Sequence, residues 1–221
     1  MIRVRVDDFP NTKDGEKDKH SLAAYREFHR CLSECLGGKR YLLGVIPGRC
    51  TVDDLLFLRN ETDVVVGMHG TDHDEARLDR NGGNQFEPYL SMIQIGQALY
   101  DNHEALQAAV GRPVRIYMPP RNVISHRTLA VLQHAGFSYF TGGPETDAWA
   151  QKHKLAIMSE KPHGYGRTDE LFQQEAHVHL RQFKGDTVLT LHWTWETNIG
   201  LEHMRRFFAE ISKELFNDFD S

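Results

Sequence analysis

Val64–Asp74 reads VVVGMHGTDHD, and this stretch decides how the chain is laid out. Three valines in succession, with no polar residue between them to face solvent, predict a strand buried on both faces. Gly67 and Gly70 loosen the backbone where that strand ends. His69 and His73 stand one helical turn apart, so a tight loop would aim both imidazoles the same way. Two imidazoles at the end of a buried strand predict a metal site that still needs a carboxylate.

On either side the pattern repeats. Ile2, Val4 and Val6 alternate with Arg3 and Arg5 in a first strand that stops at Asp7-Asp8-Phe9-Pro10. Ser21 is placed to cap a helix over 22–36, which Gly37-Gly38 ends. Further strands are expected over 41–46, 63–68, 114–118, 137–140, 155–158 and 187–192. Helices are expected over roughly 51–58, 88–110, 125–134 and 200–216, with a long polar loop over 74–87. Apolar strands alternating with helices are the pattern of parallel strands covered by helices. No Gly-x-Gly-x-x-Gly follows the first strand, so a dinucleotide fold has no support. About seven strands in one domain over 1–221 predict an α/β protein, a closed or nearly closed (β/α) barrel.

Composition narrows the function classes. The 221 residues are 40% hydrophobic and 26% charged, ordinary for a globular protein. The net charge of −5, without a basic run, argues against nucleic acid gripped by its phosphates. No apolar stretch approaches the roughly 20 residues of a membrane span, and MIRVRVDDFP is a strand pattern rather than a signal peptide. A cytoplasmic protein is the expectation. Cys31, Cys35 and Cys50 are odd in number and form no disulfide framework.

In a barrel of this kind functional side chains gather at the C-terminal ends of the strands. Those ends are Asp7-Asp8, then His69 with His73, then Pro119-Pro120-Arg121-Asn122, then His192. The missing carboxylate therefore comes from the first strand. One acid of that pair can hold a divalent cation while its neighbour acts as a general base. Two imidazoles and one carboxylate, with positions left for water and substrate, suit metal-assisted hydrolysis. A further group must protonate the leaving amine.

VDDFP, HGTDH, YMPPRN and LTLH, in that order, resemble the successive motifs of the polysaccharide deacetylase (NodB-homology) family across residues 6–192. The resemblance implies a (β/α) barrel distorted to seven strands. By it Asp7 is the general base, Asp8, His69 and His73 hold the metal, and His192 is the general acid. It implies one divalent ion, zinc by preference, with cobalt, nickel, manganese or iron as other occupants of such a donor set. The implied reaction removes an N-acyl group, N-acetyl foremost, from an amino sugar that is a small molecule or lipid-linked, in making a bacterial surface polysaccharide. Loss of an N-formyl or O-acetyl group on the same site, or a carbohydrate-binding barrel without catalysis, are the alternatives. Two positions depart from the family pattern: Gly70 stands where Ser or Thr is usual, and Met118 where an arginine is usual. Arg121 is then the candidate to orient Asp7 or to bind a substrate anion. Trp193 and Trp195, directly after His192, are candidate platforms for a sugar face. His177 and His179 form a second His-x-His pair, read as a surface strand or loop.

Overall fold

The computed structural model describes residues 2–11, 21–158, 164–165, 167–173 and 187–215. His177 and His179 lie outside these. Among the described residues, eight strands form one sheet: β1 (Ile2–Phe9), β2 (Tyr41–Val45), β3 (Val64–His69), β4 (Ile116–Met118), β5 (Tyr139–Phe140), β6 (Ala156–Ile157), β7 (Gly164–Tyr165) and β8 (Thr187–His192). Their order is β6-β5-β4-β3-β2-β1-β8-β7. Consecutive strands are neighbours from β1 to β6, and β8 returns beside β1. This is the α/β fold the alternation predicts. All seven expected strands are present, and β7 adds a short pairing of two residues, too few to leave a periodic signal. The pairs β1–β8, β3–β4, β4–β5, β5–β6 and β7–β8 are all parallel. Parallel pairing brings strand C-termini to a common edge, the usual place for a site in such sheets.

The chain divides into two compact units, and both β2 and β3 begin in the first and end in the second. The first unit is built on β1 and β8, paired from Ile2↔Thr187 through to Asp7↔His192. Helix α1 (Leu22–Leu36) opens on Ser21, whose hydroxyl accepts from the Ala24 N–H at 3.2 Å, and closes on Gly37 in the left-handed region. Its buried stripe of Tyr25, Phe28, Leu32 and Leu36 recurs at helical spacing. Helix α1 packs on α8 (Trp193–Ile199) and α9 (Leu201–Ile211), which bury Trp193 and the run Met204, Phe207, Phe208 and Ile211. The expected closing helix thus begins earlier and breaks at Gly200, whose φ of 97° belongs to neither helix. Helix α7 (Thr168–Gln173) packs on α9.

The second unit carries the C-terminal halves of β2 and β3, then β4 to β6. Helix α4 (Met92–Val110) begins on a Ser91–Gln94 capping box and packs on α2 (Val52–Asn60) and α5 (His126–Leu132). The stretch expected to be loop over 74–87 contains α3 (Glu75–Arg80), capped by Asp74, which accepts from the Arg77 N–H. Helix α6 (Pro144–Lys152) follows β5 and has no counterpart among the sequence expectations. His103 of α4 is buried in the core, with Nε2 2.6 Å from the Val114 carbonyl and Nδ1 3.3 Å from Glu104 Oε1.

Candidate active site

Within the first unit, Asp7, Asp8 and His192 come together at the ends of β1 and β8. Strand alternation puts Arg5 and Asp7 on one face. The Arg5 guanidinium donates from Nε to Asp7 Oδ1 and from Nη2 to Oδ2, both at 2.6 Å. Arg5 has no exposed surface and Asp7 keeps 3%, so this fork is a buried, charge-assisted pair. It fixes both oxygens of Asp7 in one plane. Asp8 follows with φ of 65°, a left-handed conformation that costs an ordinary residue roughly 1–3 kcal/mol and recurs at functional sites. That twist ends the alternation and redirects the Asp8 side chain. Its carbonyl accepts from the Trp193 indole N–H at 2.9 Å. His192 stands in register with Asp7, its Nε2 3.6 Å from Asp8 Oδ2, and its ring stacks on Trp195 with centroids 4.2 Å apart.

The two tryptophans have different surroundings. Trp193 is 1% exposed and packs edge-on against Tyr25, so it belongs to the core and touches the site through its hydrogen bond to Asp8. Trp195 is 37% exposed, with a ring that covers His192.

Within the second unit, His69 closes β3 opposite Met118 of β4. Its Nδ1 lies 3.2 Å from the Met118 carbonyl, a contact that turns Nε2 to the opposite side of the ring. His73 lies close by, ring centroids 5.3 Å apart, on a backbone with φ of 50°. Both imidazoles are buried. The loop between them is tied down by groups distant in sequence. The Gly48 N–H donates to the Thr71 carbonyl at 2.8 Å, and Arg49 donates from Nε to the Asp72 carbonyl at 2.8 Å and from Nη2 to the His73 carbonyl. Gln85 accepts from the Thr71 N–H at 2.7 Å and donates to the Tyr117 hydroxyl.

Gly70 has a specific reason to be glycine. Its φ is 69°, and a Cβ there would stand 2.6 Å from Pro120 Cγ and 2.7 Å from Gln85 Oε1. The hydroxyl that this position usually carries in the resembled family is absent, and the Gln85 amide steadies the loop instead.

Arg121, also in the left-handed region at φ 55°, sits on the 3-10 turn Pro120–Asn122. Its guanidinium is engaged by Asp79 at 2.6 Å and by Glu75. The fork on Asp7 is Arg5's. Sequence reasoning missed Arg5, Arg49, Glu75 and Gln85. Only Arg5 carried a signal, as a charged residue two positions before an acid on the same face of a buried strand.

By sequence, neither a protein-family model nor a curated protein matches the chain. Its fold matches solved structures. A Mycobacterium smegmatis protein assigned to the polysaccharide deacetylases aligns with a TM-score of 0.70 at 16% identity, over 98% of this chain and 86% of that one. A family 4 acetyl xylan esterase from Clostridium thermocellum, solved with a cobalt ion, aligns with a TM-score of 0.57 at 11% identity, over 100% and 99%. A family 4 carbohydrate esterase from Streptomyces lividans, solved with acetate, gives 0.54 at 13% identity over 100% and 92%. The chain has the fold of the family 4 carbohydrate esterases and polysaccharide deacetylases.

Proposed function

We propose that the protein is a metal-dependent carbohydrate deacetylase that removes an N-acetyl group from an amino sugar. The observation that carries this reading is the end of β1: an acidic pair with Asp7 held flat by Arg5 and Asp8 beside His192. Asp8, His69 and His73 are the residues that would hold the metal ion. The donor set fits a divalent cation: two buried imidazoles, one of them with Nδ1 turned to a backbone carbonyl, and one carboxylate. When bound there, the cation supplies Lewis acidity, polarising an acyl carbonyl and lowering the pKa of water.

The chain's own residues do the rest. Asp7 takes the proton of the attacking water, because the Arg5 fork holds its carboxylate in one orientation. His192 delivers a proton to the departing amine, steadied by the face of Trp195. The exposed part of that indole is the surface on which a sugar ring would rest. Zinc is the expected ion, and the substrate is a soluble or lipid-linked amino sugar on the way to a surface polysaccharide. No described helix is long and apolar enough to cross a membrane.

The test is acetate release from N-acetylated sugar oligomers with added Zn²⁺ or Co²⁺, wild type against Asp7→Asn. Loss of a general base lowers turnover by roughly 10²–10⁴-fold. Carbohydrate binding without turnover under any metal, with Asp7→Asn indistinguishable from wild type, would refute the reading and favour a binding barrel.

A further inference from the structure

His73 reaches its position on a backbone that an L-residue resists, with φ of 50°. Such a conformation persists only where the surroundings over-determine it. Here three features converge. From the turn after β2, Arg49 places one guanidinium on two successive carbonyls, those of Asp72 and His73. At the ring itself, His73 Nδ1 lies 3.0 Å from Glu75 Oε1. The other oxygen of Glu75 is taken by Arg121, which is anchored in turn by Asp79 at 2.6 Å. The peptide and the imidazole of His73 are thus held by separate groups.

We propose that Arg49 and the Arg121–Glu75 pair are positioning residues for His73, setting how tightly the protein binds its metal. The proposal rests on the reading above that His73 is a ligand. Glu75 stands at ion-pair distance on the Nδ1 side of the ring and so leaves the Nε2 side for the metal, and losing such a partner typically costs 10–100-fold in metal affinity. Arg49 acts one step earlier. Without its two bonds the backbone at His73 has less reason to stay left-handed, and the imidazole loses its aim. Arg121 acts at one remove, by keeping Glu75 pointed at the ring. The guanidinium that sequence reasoning assigned to Asp7 or to a substrate anion thereby gains a different task.

The experiment uses the full chain stripped of metal by chelation. Zn²⁺ affinity is measured by calorimetric titration, and the Co²⁺ form by its visible d–d absorption. The variants are Arg49→Met, Arg49→Lys, Glu75→Ala and Arg121→Met, each also melted without metal. Arg49→Met and Glu75→Ala are expected to weaken Zn²⁺ binding about 10–100-fold and to alter the Co²⁺ band. Arg121→Met should move both in the same direction by less, and Arg49→Lys should recover part of the affinity. If Arg49→Met fails to fold, Glu75→Ala, a change at a half-exposed side chain, decides alone. Unchanged affinity and spectrum in folded variants overturn the proposal, as does a fall confined to the metal-free melting temperature. A wild-type chain that binds no metal overturns the functional reading and this one with it. A wild type that binds metal beside indifferent variants overturns this one only.

Discussion

Replacing Arg5 with methionine tests the centre of the site through stability alone. Methionine replaces the aliphatic stem of arginine but not its guanidinium, so the change removes the charge and its hydrogen bonds while keeping the stem's packing. Arg5 is fully buried and the Asp7 side chain is 4% exposed. Both 2.6 Å bonds are lost, and a carboxylate stays behind in a place that water barely reaches. Removing one partner of a buried ion pair costs roughly 3–5 kcal/mol, because the survivor stays buried and loses its opposite charge. For a chain of this length each kcal/mol lowers Tm by about 2–4 °C, so the expected fall is roughly 6–20 °C. Thermal melts followed by circular dichroism measure that fall at neutral pH, and urea denaturation gives the change in free energy. The double variant Arg5→Met, Asp7→Asn gives the sign of the coupling: with no buried charge left over, it should be more stable than Arg5→Met alone. A single-variant loss under about 1 kcal/mol, or a double variant weakened by the sum of both changes, would refute the reasoning.

Two further outcomes follow from the same geometry. Gly70→Ser, which restores the residue type usual in the resembled family, should destabilise by roughly 1–3 kcal/mol in thermal melts without raising activity, because it combines left-handed strain with overlap onto Pro120 and Gln85; a neutral melt would show that the loop yields freely. Glu196 is buried, and burial raises its carboxyl above the ordinary 4.5 even though it accepts from the Thr168 N–H and hydroxyl. The folded state therefore holds that proton more tightly than the unfolded one, and stability from this group is full below about pH 4.5 and lost as pH rises through the folded value. Glu196→Gln can keep both bonds to Thr168 without a charge, so urea midpoints from pH 4 to 8 should fall less steeply than in wild type; parallel profiles would count against it.

Much of the architecture was legible because it is periodic. The valine run of β3, the alternation in β1 and the Ser21 and Gly37 ends of α1 are local patterns, and local patterns survive in a sequence. The placement of Asp7, Asp8, His69 and His192 at strand ends follows from the same reading. What escaped was short or long-range. Helix α3 has few apolar positions, and β7 has only two residues. Arg49 meets a loop 23 and 24 positions away, and Gln85 meets Thr71 14 positions away. No spacing announces such pairs. Arg121 shows the limit most sharply. Its nearness in sequence to the proline motif suggested a role on Asp7 or on a substrate anion, while its guanidinium is engaged by Glu75 and Asp79 and the β1 strand supplies its own arginine to Asp7.

The crowding at Gly70 bears on how such a site can change over evolutionary time. The Gln85 amide and the Pro120 ring fill the space a Cβ at Gly70 would take, so Gly70 cannot gain a side chain while the other two stay as they are. A path to a hydroxyl-bearing loop, taken one residue at a time, crosses either an overpacked intermediate or one in which Gln85 or Pro120 has already been cut back. The three positions are therefore expected to vary as a set, and a scan that scores each position independently would undervalue the arrangement found here.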